Sequence, residues 1–166
     1  MKIGILQTGI AADALIKKHG DYPDNFKTFL QDRGFQFEVY EVINNIFPED
    51  IYECDGWLVT GSRHGAYEAH DWIPPLEKFI CDLYEADIPL IGVCFGHQII
   101  AQALGGVVEK FKNGWTVGRQ VYENKNGEKI KLNAYHQDQV ISPPECATNV
   151  FGNENCKNAI IQYGKK

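Results

Sequence analysis

The stretch Pro89-Leu90-Ile91-Gly92-Val93-Cys94-Phe95-Gly96-His97-Gln98 decides the fold. Pro89–Val93 is a short apolar run, the pattern of a strand buried on both faces. Gly96–Leu104 has apolar residues at helical spacing, and Gly105-Gly106 stops it. The strand therefore runs straight into a helix with one cysteine at the join. Glycines stand two residues before and two after Cys94, the spacing of the G-x-S-x-G nucleophile elbow with sulfur in place of oxygen. A turn this tight leaves no room for side chains at the flanking positions. It also projects the nucleophile from the carboxyl end of the strand, where open α/β sheets hold their ligands.

Position adds chemistry. A thiol at a helix N-terminus sits among unpaired N–H groups and the positive end of the dipole, which favour the thiolate. The N–H of Phe95 is placed to meet an oxyanion. A cysteine is ordinarily a small buried residue. That ordinary role is the expectation for Cys54, Cys81, Cys146 and Cys156, and the elbow sets Cys94 apart from them.

Outward from the elbow, short apolar runs alternate with helical stretches. Lys2–Gln7, Phe35–Glu41 and Gly56–Thr60 read as strands. Pro23–Gly34 reads as a helix, with Phe26, Phe29 and Leu30 on one face. A second helix runs to about Glu85, capped by Asp71, with Pro74 and Pro75 tolerated in its first turn. Strands alternating with helices predict an α/β fold: a mostly parallel central sheet with helices on both faces. After Gly106 the pattern changes. Val107–Lys110, Thr116–Tyr122, Lys129–Ala134 and Asn158–Tyr163 read as strands of an antiparallel extension, with Asn126-Gly127 as a hairpin turn. The whole chain, 1–166, reads as one domain.

Composition narrows the function. The 166 residues are 44% hydrophobic and 23% charged, which fits a globular core. A net charge of −6 excludes a basic nucleic-acid-binding face. No run is long and apolar enough to span a bilayer, and Lys and Arg form no membrane-binding cluster. The first residues, MKIGILQTG, lack signal-peptide character, so the expected compartment is the cytosol. Five cysteines without a C-x-x-C pair make a disulfide framework or a zinc site an unsupported reading. No metal, nucleotide or flavin cofactor is expected.

Three ordered blocks resemble the class I (triad-type) glutamine amidotransferases. Gly92, Cys94, Gly96 and Gln98 match the family's G-x-C-x-G-x-Q. Leu58–Glu68 (LVTGSRHGAYE) is similar to its glycine-rich oxyanion loop. Ala134–Val140 (AYHQDQV) is similar to its S-H-x-D-x-V segment. The nearest flavour is the stand-alone, GMP-synthase-like group, which includes γ-glutamyl peptidases. The resemblance implies a flavodoxin-like amidotransferase fold and a mechanism. Cys94 attacks the side-chain amide of glutamine, the N–H groups of Ser62 and Phe95 hold the oxyanion, and water cleaves the γ-glutamyl thioester after ammonia leaves. Gly61, Gln98, Tyr135, His136, Gln137 and Asp138 are the implied substrate-binding residues. The implied partners are glutamine or a γ-glutamyl small molecule, and an ammonia-accepting synthase acting in trans.

The histidines are read individually. His97, three residues from Cys94 on a rigid helix, points away from it and is not taken as the base. His136 is read as a positioning or structural residue. Arg63, His64 and His70 follow Gly61 and either line the pocket mouth or face solvent. His19 lies in a polar, exposed stretch. The family's base is a histidine oriented by a glutamate, His-x-Glu, on a late strand. No such pair occurs in this sequence. The resemblance implies that the sequence stops inside the hairpin leading to that strand. Three functions follow as alternatives: glutaminase or amidotransferase, γ-glutamyl peptidase on glutathione-like compounds, and a non-catalytic relative that keeps the pocket without turnover.

Overall fold

The computed structural model describes residues 1–164 and divides into two compact units. The first comprises residues 1–64 and 68–96, and the second residues 65–67 and 97 onward. In the first unit, β1 (Lys2–Leu6), β2 (Gln36–Tyr40), β3 (Gly56–Val59) and β4 (Leu90–Gly92) form one sheet in the order β2-β1-β3-β4. Every pairing in it is parallel. Helices α1 (Asp13–His19), α2 (Tyr22–Phe29) and α3 (Ile73–Glu85) flank it, and only Val93 and Cys94 separate β4 from α4 (Phe95–Ala103). The parallel α/β architecture expected from the strand–helix alternation is what the chain adopts.

Packing explains the sheet's centre. Gly4 is paired with Trp57 across β1 and β3, and a Cβ on Gly4 would lie 2.3 Å from the indole carbons. The missing side chain lets Trp57 lie flat on β1. Its other edge meets Phe79 of α3, with ring centroids 4.9 Å apart and planes at 86°. Ile73, Leu76, Phe79, Ile80 and Leu83 are the buried stripe of α3, at the spacing of one helical face. Each such side chain contributes roughly 1.5–3 kcal/mol on burial. Pro74 and Pro75 sit in the first turn of α3, where a backbone N–H would have no helical partner and its absence costs no hydrogen bond.

Three local expectations are corrected. Asp71 does not cap α3: the N-cap is Trp72, with no side-chain cap bond. The stretch read as one helix to Gly34 breaks into α2 and a 3-10 turn at Gln31–Arg33, and Gly34 closes it in the left-handed region at φ 69°. Phe29, read as part of the apolar stripe, is 81% exposed. Helix α1 was not anticipated, and none of its residues is buried. With no core face, it leaves no apolar period in the sequence.

In the second unit, β5 (Val107–Lys110) pairs antiparallel with β8 (Asp138–Ser142). Strands β6 (Thr116–Glu123) and β7 (Lys129–His136) form a hairpin, and β9 (Ala147–Phe151) pairs with β10 (Ile160–Tyr163). Strands β8 and β9 are additional to those read from sequence. Gly127 turns the hairpin at φ 81°. Buried Asn124 organises that turn, because its side-chain oxygen accepts the N–H groups of Asn126 and Glu128, each at 3.0 Å. Tyr122, Phe151 and Cys156 form a small core, with Ile130, Ala159 and Ile160 packed on it. Among the described residues, no helix is long and apolar enough to cross a membrane.

Candidate active site

In the first unit the chain runs from β1 to β2 on one side and from β3 to β4 on the other. The strand order therefore reverses between β1 and β3, and the carboxyl ends of the strands at such a reversal are where open α/β sheets hold their ligands. Polar residues line that reversal. Thr8 and Thr60 are fully buried and bonded to each other: the Thr8 N–H donates to Thr60 Oγ1 at 3.0 Å, and Thr8 Oγ1 donates to the Thr60 carbonyl at 3.0 Å. Gly9 then passes so close to Gly61 and Ser62 that a Cβ on it would stand 2.8 Å from Ser62 Cα. Only glycine lets the loop after β1 lie against the loop after β3.

Cys94 follows β4 at the same end of the sheet. Its φ is 56°, in the left-handed region that a residue with a side chain seldom occupies. Gly96 explains how the elbow is held. A Cβ there would lie 2.3 Å from the Val59 carbonyl oxygen, and the Gly96 N–H donates to the Thr60 carbonyl at 3.1 Å. Directly across from the cysteine is Gly61, where an added Cβ would be 3.7 Å from Cys94 Cβ. The first unit thus brings Gly61, Ser62, Cys94 and Phe95 together. Among the described residues, neither the Ser62 nor the Phe95 N–H has a hydrogen-bond acceptor, so both are available to an anion. The Ser62 hydroxyl accepts the His64 N–H at 3.2 Å, fixing the turn that follows. Phe95 itself is buried, with its ring 5.5 Å from that of Trp72. Cys94 is exposed and not in a disulfide.

Asp21 and Tyr22, at the start of α2, were missed from sequence. Asp21 caps α2, accepts the Ala11 N–H at 2.9 Å, and accepts the Gln7 side-chain amide at 2.8 Å. Burial raises the phenol pKa of Tyr22, and the negative charges of Cys94 and Asp21 raise it further. The available signal was the polar run Gln7-Thr8-Gly9 directly after an apolar strand.

The remaining candidates lie in the second unit, linked through Asp138. Buried Gln98 donates its side-chain amide to the Asp138 carbonyl at 2.9 Å, and His136 Nδ1 donates to the same oxygen at 3.1 Å. The Asp138 carboxylate accepts the Tyr67 hydroxyl at 3.2 Å. Gln137 donates to the Phe111 carbonyl at 3.4 Å, and exposed Tyr135 lies against Trp115 at 5.1 Å. His97 Nε2 donates to the Asn158 carbonyl at 2.9 Å. Burial pushes its pKa down to about 4, against the opposing effect of that hydrogen bond and with a small further lowering from His136. His97 is thus neutral at pH 7 and a weak base.

The likeness to known proteins follows these features. The family described as "Glutamine amidotransferase class-I" matches residues 16–166. Gamma-glutamyl peptidase 4 of Arabidopsis thaliana is 34% identical over 146 residues, covering 79% of this chain and 58% of its own length. A glutamine amidotransferase-like protein of Schizosaccharomyces pombe is 31% identical over 180 residues, covering 96% of this chain and 73% of its own. The crystal structure of a glutamine amidotransferase from Thermotoga maritima superposes with a TM-score of 0.80 at 21% identity, covering 98% of this chain and 72% of that one, a likeness of fold. The chain therefore spans under two thirds of the Arabidopsis relative. A match that runs through both glycine-rich loops and nearly the whole sequence makes this chain a member of the class I glutamine amidotransferase family.

Proposed function

We propose that Cys94 is the nucleophile of a glutamine-hydrolysing site, and that the protein releases ammonia from glutamine through a γ-glutamyl thioester on that residue. One observation carries this reading: Cys94 is held at φ 56° at the strand–helix join, with Gly61 directly across from it. Backbone strain of this kind persists where a side chain must be aimed. The thiolate attacks the γ-carbonyl carbon, and the oxygen takes up negative charge between the N–H groups of Ser62 and Phe95. The carbon–nitrogen bond breaks and ammonia leaves with a proton. Water then adds to the thioester and expels the thiolate, giving glutamate.

Roles for Gly61, Gln98, Tyr135, His136, Gln137 and Asp138 in holding the amino-acid end rest on the family resemblance. The proton carrier of that family is the histidine of a His-x-Glu pair, which this sequence does not contain. His97 is a poor substitute, because its Nε2–H is engaged by Asn158 and its basicity is low. An ammonia-accepting synthase in trans belongs to this same reading.

A second reading has its own support. The Arabidopsis relative is described as a γ-glutamyl peptidase. The same thioester forms when the leaving group is the amine of an amino acid or peptide in place of ammonia. The test is labelling with a glutamine-mimicking diazoketone, followed by mass spectrometry. Modification of Cys94, absent from Cys94→Ala, is expected. Modification at Cys54 or Cys81 instead overturns the assignment. Release of ammonia from glutamine, measured against amine release from γ-glutamyl dipeptides, then separates the two substrates.

A further inference from the structure

His64, Glu68 and His70 form a cluster in the first unit that the proposed reaction does not use. His64 Nδ1 lies 3.2 Å from Glu68 Oε2, and His70 Nε2 lies 2.7 Å from the same oxygen. The three ligand atoms all fall within 4.8 Å of one another. A tetrahedral ion with bonds of about 2.0–2.1 Å holds its ligands roughly 3.3 Å apart, so the cluster is close to chelating geometry before any ion arrives. His-x3-Glu-x-His is not a recognised zinc spacing, so no motif marks the cluster. A tight loop brings the three together.

That loop is well braced. The His64 N–H donates to Ser62 Oγ at 3.2 Å, the His70 N–H to the Glu68 carbonyl at 3.0 Å, and the Ile73 N–H to the His70 carbonyl at 3.0 Å. The His70 ring stacks on Trp72 at 5.7 Å with the planes 8° apart, and the two imidazoles meet edge to face at 4.3 Å. Trp72 is buried at 5% exposure, so the ring beneath His70 is fixed. The three side chains are 21%, 41% and 33% exposed, which leaves a path for an ion and room for water as a fourth ligand. Two imidazoles and one carboxylate form a donor set that suits zinc and its d-block neighbours, and suits magnesium and calcium poorly.

We propose that His64, Glu68 and His70 bind one divalent d-block cation, zinc in the first instance, through His64 Nδ1, His70 Nε2 and a Glu68 carboxylate oxygen. On binding, each imidazole gives that nitrogen's lone pair to the ion and carries its proton on the other ring nitrogen. The ion takes over the position where the two N–H groups now converge on Glu68. The site does not depend on Cys94 being a nucleophile.

The test uses the full chain without a histidine tag, as the Cys94→Ala variant, stripped of metal and titrated with zinc against a chromophoric chelator. One equivalent is expected to bind with a Kd below about 10 μM. His64→Ala/His70→Ala is expected to weaken that binding at least 100-fold, and Glu68→Gln to weaken it about 10-fold or more, within the range set by losing a ligand or its orienting partner. X-ray absorption of the zinc complex is expected to show only nitrogen and oxygen neighbours near 2.0–2.1 Å. Unchanged one-equivalent binding in the double variant overturns the proposal. So does sulfur at about 2.3 Å, or the absence of binding tighter than about 100 μM. Thermal unfolding without zinc shows whether the double variant is folded. If it is not, the absorption spectrum of the Cys94→Ala complex decides alone.

Discussion

Replacing Gly96 with alanine tests whether the elbow is held by close backbone approach. The added Cβ would stand 2.3 Å from the Val59 carbonyl oxygen, 2.9 Å from its carbon and 3.0 Å from Val59 Cβ. All but the last are backbone atoms, and β3 is buried along its whole length, so no side chain can swing aside. Relief requires the first turn of α4 to retreat by about 1 Å, an overpacking cost of roughly 1–3 kcal/mol. The retreat also stretches the 3.1 Å bond from the Gly96 N–H to the Thr60 carbonyl, worth about 0.5–1.5 kcal/mol. Alanine's better helix propensity returns less than about 1 kcal/mol. The expected net loss is about 2–3 kcal/mol, read as a lower urea midpoint at unchanged slope. Diazoketone labelling of Cys94 should slow in the same variant. A stability change under about 0.5 kcal/mol, the size expected for an unremarkable site, refutes the close-approach argument.

Gly61→Ala should behave in the opposite way. Its Cβ meets Cys94 Cβ at 3.7 Å and the Val93 carbonyl at 3.9 Å, ordinary contacts, so the urea midpoint should barely move. The methyl group fills the space in front of the thiol, so labelling should slow about tenfold or more. At position 94, Cys94→Gly should be about 1 kcal/mol more stable than Cys94→Ala in urea unfolding, because glycine occupies φ 56° without the side-chain penalty. His97 sets an acid limb of stability. Its folded pKa of about 4 is below the ordinary 6.5, so above pH 6.5 both states are neutral and the group has no effect. As pH falls from 6.5 through 4, the unfolded chain gains the proton first and stability drops, by up to about 3 kcal/mol. Urea midpoints at pH 7.5 and 4.5 should differ less in His97→Gln than in the parent. Among the described residues, the buried Tyr163 hydroxyl has no hydrogen-bond partner, so Tyr163→Phe should gain about 1 kcal/mol in the same assay.

The parallel half was legible because its signals are local. Three apolar runs and one alternating stretch gave β1 to β4 within one residue at each end, but β4 is not the buried strand expected of Pro89–Val93: it is the last strand of the sheet, and Ile91 is 63% exposed. Leu76, Phe79, Ile80 and Leu83 marked the buried face of α3. Helix α1 was not legible because it buries nothing, and β9 was missed because its five residues bury only Phe151. Pattern reading detects burial, and these elements form with little of it. At the site, the elbow could be read because two glycines and a cysteine have fixed spacing. Asp21 could not, since its bonds to Gln7 and Ala11 depend on how the loop after β1 folds back. The His64, Glu68 and His70 cluster escaped for a related reason: a loop brings its members together, with no period for sequence to show.

The strain at Cys94 follows from the way the two glycine-rich loops are joined. The Val93 N–H donates to the Val59 carbonyl at 3.1 Å, and the Gly96 N–H donates to the Thr60 carbonyl at 3.1 Å. Both sides of the join are thus tied to consecutive carbonyls of one rigid segment. Only Cys94 and Phe95 lie between those ties. Phe95 is already helical and buried, so Cys94 alone must reverse the chain. The left-handed φ of 56° is the result. The same ties hold Thr60 next to Gly61, which faces Cys94. A change that loosens either tie should therefore relax Cys94 and move Gly61 together. Reactivity should fall by more than the stability loss alone accounts for, because a small misplacement costs a reaction far more than it costs a fold. In Gly96→Ala, stability lost with labelling fully retained would separate the elbow's geometry from its chemistry and defeat this account.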